Sequence, residues 1–162
     1  MRPNLLCIIS DDTDPRYLGC YGGSNLTPNL DRLAREGTRF NEAHVVSPMC
    51  VPGRYCYLTG QHPHRSKPFL EACPPDEPYC LPLGCNITPE QETLATVLKR
   101  HGYRTGYVGK YHNFDKKLHE IPGAAPLKFL PPDDPRDNAA RQQNQEAMAA
   151  YLNQHGWDYA GG

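Results

Sequence analysis

The chain has 162 residues, with 17 Lys plus Arg against 18 Asp plus Glu and a formal net charge of -1. That balance excludes a strongly basic nucleic-acid binder and a strongly acidic tail, so charge specificity has to be built locally, inside one site. The length suits about one domain, which buries roughly 70% of its unfolded-chain surface, and no apolar run approaches the ~20 residues needed to span a membrane. Neither nucleic acid nor a membrane is expected as a partner.

Residues 5–9, Leu-Leu-Cys-Ile-Ile, form a continuous apolar run. The run does not alternate, so it predicts a strand buried on both faces, as in a parallel sheet. It is shorter than the ~7–15 residues of a signal-peptide core, and Asp11 and Asp12 follow it almost at once. A cytoplasmic location is therefore expected, unless an export signal lies outside these residues. Asp11 and Asp12 fall at the carboxyl end of the predicted strand, the edge where open α/β sheets bind ligands. On their own they read as a turn or helix cap. After a buried strand they also suit a hard cation such as Ca²⁺.

Thr27-Pro28 predicts a helix start, with Leu30, Leu33 and Ala34 on one face and Gly37 as the stop. Residues 38–46 suit a strand with its connection, and a second helix is predicted just after Cys50. A third helix is read from a capping box of Thr88 with Gln91, an apolar face of Leu94, Val97 and Leu98, and a stop at Gly102. Residues 103–108 suit another strand. Residues 138–155 suit a fourth helix, with Met148, Tyr151, Leu152 and His155 along one stripe and Gly156 closing it. This order argues for an α/β fold with a largely parallel sheet flanked by helices. Residues 61–87 and 122–135 interrupt it as long Pro-rich loops.

Residues 50–60 read C-V-P-G-R-Y-C-Y-L-T-G. They resemble the signature of the formylglycine-dependent sulfatases, C-x-P-x-R followed by x-x-x-x-T-G. All five defining positions match: Cys50, Pro52, Arg54, Thr59 and Gly60. Gly53 stands where serine is common. Thr27-Pro28-Asn29-Leu30-Asp31 resembles the family's T-P-N-L-D helix start. Gly102-Tyr103-Arg104-Thr105 and Gly109-Lys110-Tyr111-His112 resemble its G-Y-x-T … G-K-x-H segment. Gly156-Trp157-Asp158-Tyr159 is similar to a G-F-D-Y stretch. The resemblance covers residues 3–60 and 88–112 well, and 150–160 weakly. It implies an alkaline-phosphatase-like fold, here the N-terminal part of one catalytic domain, incomplete at its C-terminal side.

The resemblance also implies a chemistry. A formylglycine-generating enzyme oxidises the signature cysteine to an aldehyde, whose hydrate is a geminal diol. One hydroxyl attacks sulfur and the alcohol leaves. The second hydroxyl then loses its proton, and the bond to sulfate breaks to restore the aldehyde. By that resemblance Arg54 holds the modified Cys50 or the anion above it, Lys110 contacts the sulfate, and His112 moves protons. Asp11, Asp12 and the modified Cys50 would ligate Ca²⁺ or another divalent cation. The substrate class is a sulfated small molecule or glycan. The spacing agrees, since Arg54 lies one helical turn beyond Cys50 on the same face, and a helix mouth favours negative charge.

Seven cysteines occur. Cys7 and Cys56 are read as core residues. Cys73, Cys80 and Cys85 are read as inert thiols, or as disulfide partners if the chain is exported, and their spacing fits no zinc pattern. His44, His62, His64 and Arg65 are read as loop residues near the motif. A Ca²⁺ site takes about six to eight oxygens, and the later acidic pair, His and Lys of the family are not recognised here. Asp133, Asp134 and Asp137 sit in a Pro-rich segment instead. The expectation is an incomplete gene product, inactive alone. Three rival readings stand beside sulfate-ester hydrolysis: a phosphonate or phosphate ester hydrolase of the same superfamily, a non-catalytic remnant, and a zinc or redox role for the cysteines.

Overall fold

A computed structural model describes residues 2–72, 85–114, 121–125 and 135–161. Residues 73 and 80 of the cysteine-rich loop, and Asp133 and Asp134, lie outside these. The chain divides into two compact units, Met1–His44 and Val45–Gly162.

In the first unit, residues 2–10 form neither helix nor strand. Leu6 and Ile8 are 86% and 83% exposed, and Cys7 is exposed rather than in a core. The predicted strand is thus not formed. Apolar character alone does not make a strand, which needs a ladder partner, and among the described residues strand pairs occur only in the second unit. Two short 3-10 turns follow, Pro15–Tyr17 and Gly19–Tyr21. Asp14 caps the first, accepting the Arg16 N–H at 2.8 Å. Helix α1 spans Pro28–Glu36, as the Thr27-Pro28 start and the Gly37 stop predict. The Thr27 hydroxyl does not cap the helix. It accepts the Gly19 N–H at 2.8 Å and donates to Asp31 at 3.0 Å. Leu30 and Leu33 remain exposed. Residues 38–46 form no strand.

The second unit holds the core. Helix α2, Cys50–Thr59, buries Val51, Pro52, Arg54, Tyr55 and Leu58. It ends at Gly60, whose φ of 68° is left-handed and whose N–H reaches the Cys56 carbonyl at 2.8 Å. A 3-10 turn, Pro63–Arg65, and the short helix α3, Lys67–Ala72, follow within the predicted loop. Helix α4 spans Leu94–Arg100. Its capping box is Thr93 with Thr96, five residues after the predicted cap. At Thr88 and Gln91 the backbone makes a turn, Gln91 N–H to Thr88 C=O at 3.0 Å, and the Gln91 side chain donates to the Tyr55 hydroxyl at 2.6 Å instead of closing a capping box.

Strand β1, Gly106–Val108, pairs in parallel with strand β2, Tyr159–Gly161, with Gly106 opposite Tyr159. Helix α5, Pro135–Gln154, lies in the connection between them. Helices with a small parallel sheet agree with the α/β reading. The core gathers Tyr55, Leu58, Ile87, Tyr111, Tyr151 and Trp157. Cys85 is wholly buried in it as a free thiol.

The two ends of β1 and β2 are tied by side chains. Thr105 donates its hydroxyl to the Gly156 carbonyl at 2.7 Å, and its N–H to Asp158 Oδ2 at 2.9 Å. Lys99 Nζ lies 2.6 Å from Asp158 Oδ1. The Lys99 ammonium, then the Thr105 N–H, pull the Asp158 carboxyl down to about 2. The two matched stretches, residues 102–105 and 156–159, thus meet in one polar knot. Among the described residues no helix is long and apolar enough to cross a membrane.

Candidate active site

The site is built on the mouth of α2. Met49 precedes the helix in extended backbone, and its N–H donates to the Ser47 hydroxyl at 3.3 Å. The first helical bond runs from Gly53 N–H to Met49 C=O at 3.0 Å. Cys50 and Val51 therefore offer N–H groups with no intrahelical acceptor, and Pro52 has none to offer. Cys50 is a half-buried free thiol at this positive end. A small oxygen-bearing side chain suits that position. At Gly53 an added Cβ would sit 3.4 Å from the Ser47 carbonyl oxygen, an ordinary contact. Space therefore does not force glycine there.

Arg54 is 7% exposed. Its Nη1 donates to the Tyr57 hydroxyl at 3.1 Å, to the Tyr107 hydroxyl at 3.4 Å, and to the Lys110 backbone carbonyl. The Tyr107 hydroxyl donates to the same carbonyl at 2.6 Å. Burial first, and the neighbouring Tyr107 next, raise the Tyr57 phenol far above its ordinary range. It remains neutral at any physiological pH.

The segment after β1 carries Lys110 and His112. Gly109 has φ 95° and donates its N–H to Gly161 at 2.9 Å, which extends the sheet by one bond. Lys110 and His112 have exposed side chains. His112 has φ 66°, a left-handed conformation that costs a non-glycine residue free energy. Asn113 is wholly buried, and its Nδ2 donates to Val51 C=O at 2.9 Å and Cys85 C=O at 2.8 Å. The structure thus joins the 110–113 segment to the first turn of α2 twice, through Arg54 and through Asn113. Sequence reading missed Asn113, Tyr57 and Tyr107. The position of Asn113 directly after the G-K-x-H segment is the one signal that marked the first of them.

His62 and His64 stack with ring centroids 5.5 Å apart. They follow the carboxyl end of α2, a ten-residue helix about 15 Å long, and so lie away from Cys50. His44 ends the first unit, where its Nδ1 lies 3.1 Å from the Glu42 carbonyl oxygen.

Asp11 and Asp12 belong to the first unit and are exposed. Asp12 has φ 53°. Two carboxylates offer four oxygens, short of the about six to eight that Ca²⁺ takes. Among the described residues no group of three or more His, Cys, Asp or Glu could hold a metal ion. The described residues therefore do not make a whole cation site.

The sulfatase family's sequence profile matches residues 3–123. The chain is 42% identical to human arylsulfatase D over 113 residues, which cover 68% of this chain and 19% of that protein. It is 40% identical to mouse steryl-sulfatase over 111 residues, 68% of this chain and 18% of the other. With human arylsulfatase A the identity is 41% over 111 residues, 68% and 21% of the two chains. This chain belongs to the sulfatase family, with the alkaline-phosphatase-like α/β fold of that family. It spans about a fifth of the length of the curated relatives it matches.

Proposed function

We propose that this chain carries the nucleophile end of a sulfatase-type hydrolase, which cleaves sulfate esters of small molecules or glycans through a formylglycine made from Cys50. The observation that carries the reading is the placement of Cys50 as first residue of α2, with Arg54 buried one turn further on and held to the Lys110 carbonyl. Once formed by a formylglycine-generating enzyme, the aldehyde supplies a hydrated carbon with two hydroxyls, one to take the sulfuryl group and one to release it. The free N–H groups of Cys50 and Val51 favour an anion at the helix mouth. Arg54 adds a fixed guanidinium beneath it. Lys110 brings a second cation on a flexible stem to neutralise the sulfate. His112 lies beside the formylglycine and helps move its protons. Asp11 and Asp12 supply part of a divalent-cation site. That set is incomplete, so no step here runs through the ion.

Family membership supports sulfate over phosphonate as the ester cleaved. Rates on an aryl sulfate and on a phosphonate monoester, measured side by side on the protein from its own host, test this. Faster turnover of the sulfate is expected. Faster turnover of the phosphonate would sink the sulfate assignment. Turnover of neither, with Cys50 converted, would leave a non-catalytic anion binder.

A further inference from the structure

We propose that Tyr57 and Tyr107 are positioning residues for Arg54, two phenols that fix its guanidinium toward the anion at the mouth of α2. The inference rests on the reading of Arg54 as an anion contact and deepens it. Tyr57 lies three residues after Arg54 on the same helix, the spacing at which side chains meet, and its hydroxyl takes the Nη1 bond at 3.1 Å. Tyr107 approaches from the other side, from the middle of β1. Its hydroxyl accepts from Nη1 at 3.4 Å, a long bond, and donates to the Lys110 carbonyl at 2.6 Å, a short and strong one. Arg54, Tyr107 and the Lys110 carbonyl thus close a triangle between α2 and the segment after β1.

The Tyr107 ring is itself set edge-on against Tyr111 at 5.4 Å and Trp157 at 5.1 Å. Both neighbours are buried, so the hydroxyl has little freedom to swing away. These three acceptors are neutral oxygens. They orient the guanidinium without cancelling its charge, as a carboxylate would. The bland alternative is that both tyrosines only fill space. Phenylalanine separates the two, since it keeps the ring and deletes the hydroxyl.

The test uses the 162-residue chain with an unmodified Cys50, and inorganic sulfate as the probe. Tyr57→Phe, Tyr107→Phe and the double variant are compared with wild type, with Arg54→Lys as the reference for a lost fork. One readout is the Arg54 Nη–H signal in NMR, resolved when guanidinium rotation is hindered. The other is sulfate affinity by calorimetry. A hydrogen bond to a charged group predicts about tenfold weaker sulfate binding in Tyr57→Phe and more in the double variant, with the Arg54 signal lost. An Arg54 signal unchanged in the double variant would overturn the proposal. So would a lost signal with sulfate affinity unchanged. Phe variants that no longer fold would overturn it too, because the hydroxyls would then serve the fold. Wild type that binds no sulfate, with its Arg54 signal intact, would overturn the anion role of Arg54 itself, a distinct failure.

Discussion

Asn113 is where one substitution tests the link between fold and site. Its amide has two N–H hydrogens, and both are used, on Val51 C=O and Cys85 C=O, in a fully buried position. Asn113→Asp keeps the shape and removes both donors at neutral pH. Each lost bond costs ~1 kcal/mol net, and the buried Cys85 carbonyl, losing its Asn113 donor, adds about 1–3 kcal/mol, whereas Val51 C=O keeps its helical bond from Tyr55. The sum is about 3–5 kcal/mol as an upper bracket, and relaxation reduces it, so a loss of at least about 2 kcal/mol is predicted. Acid should restore part of it. Facing two carbonyls, the introduced carboxyl gains a donor only when protonated, so its folded pKa rises. Its stabilising form is present at low pH and is lost as pH rises through that value. Urea denaturation at pH 5 and pH 7.5, with Asn113→Leu beside it, is the assay. A variant within about 0.5 kcal/mol of wild type at pH 7.5, within the range of ordinary surface changes, would refute the reasoning.

Other predictions follow from the same contacts. Asp158 has its carboxyl lowered from 3.8 to about 2, chiefly by Lys99. Its contribution is therefore complete above about pH 4 and fades as pH falls toward 2. Thermal melts across that window should flatten in Asp158→Asn, and an unchanged slope would count against the knot. Asp14 is lowered to about 2 by Arg16 in the same way, so some slope should persist. Thr93 caps α4 and also donates to the His155 carbonyl at 3.2 Å. Thr93→Ala should cost about 1–2 kcal/mol in denaturation, and Thr93→Ser much less. Equal losses in the two would mean that the methyl matters, not the cap.

The most legible parts of the chain were those where local chemistry decides. Thr27-Pro28 and Gly37 bound α1 because a proline at the first turn and a glycine stop act locally, although the Thr27 hydroxyl does not cap the helix. Helix α2 begins at Cys50, close to its predicted start, while its stop at Gly60 was read only as a motif position. Helix α5 runs close to the length that its sequence predicts. Residues 5–9 failed because a strand is a pairing, and pairing partners are not written in the strand itself. Thr88 lost the cap to Thr93 because Thr93 satisfies two groups at once, the helix mouth and the His155 carbonyl, and the second is visible only in three dimensions. The motif residues Cys50, Arg54, Lys110 and His112 were legible as a pattern. Their supports were not. Apart from the Tyr57 bond within α2 and the Tyr107 bond to Lys110, each three residues apart, Tyr107 and Asn113 act through contacts 28 to 62 residues apart in sequence. No local periodicity marks such contacts.

The account stands on Cys50 as the residue that is converted. Mass spectrometry of the peptide containing Cys50, from protein co-expressed with a formylglycine-generating enzyme, tests it most directly. Cys50 should lose its sulfur and react as an aldehyde with a hydrazide probe, while Cys56, six residues on in the same helix, stays a thiol. Cys50→Ala should give no aldehyde and no turnover. An unmodified Cys50 thiol in the presence of a converting enzyme that works on a control substrate would contradict the account.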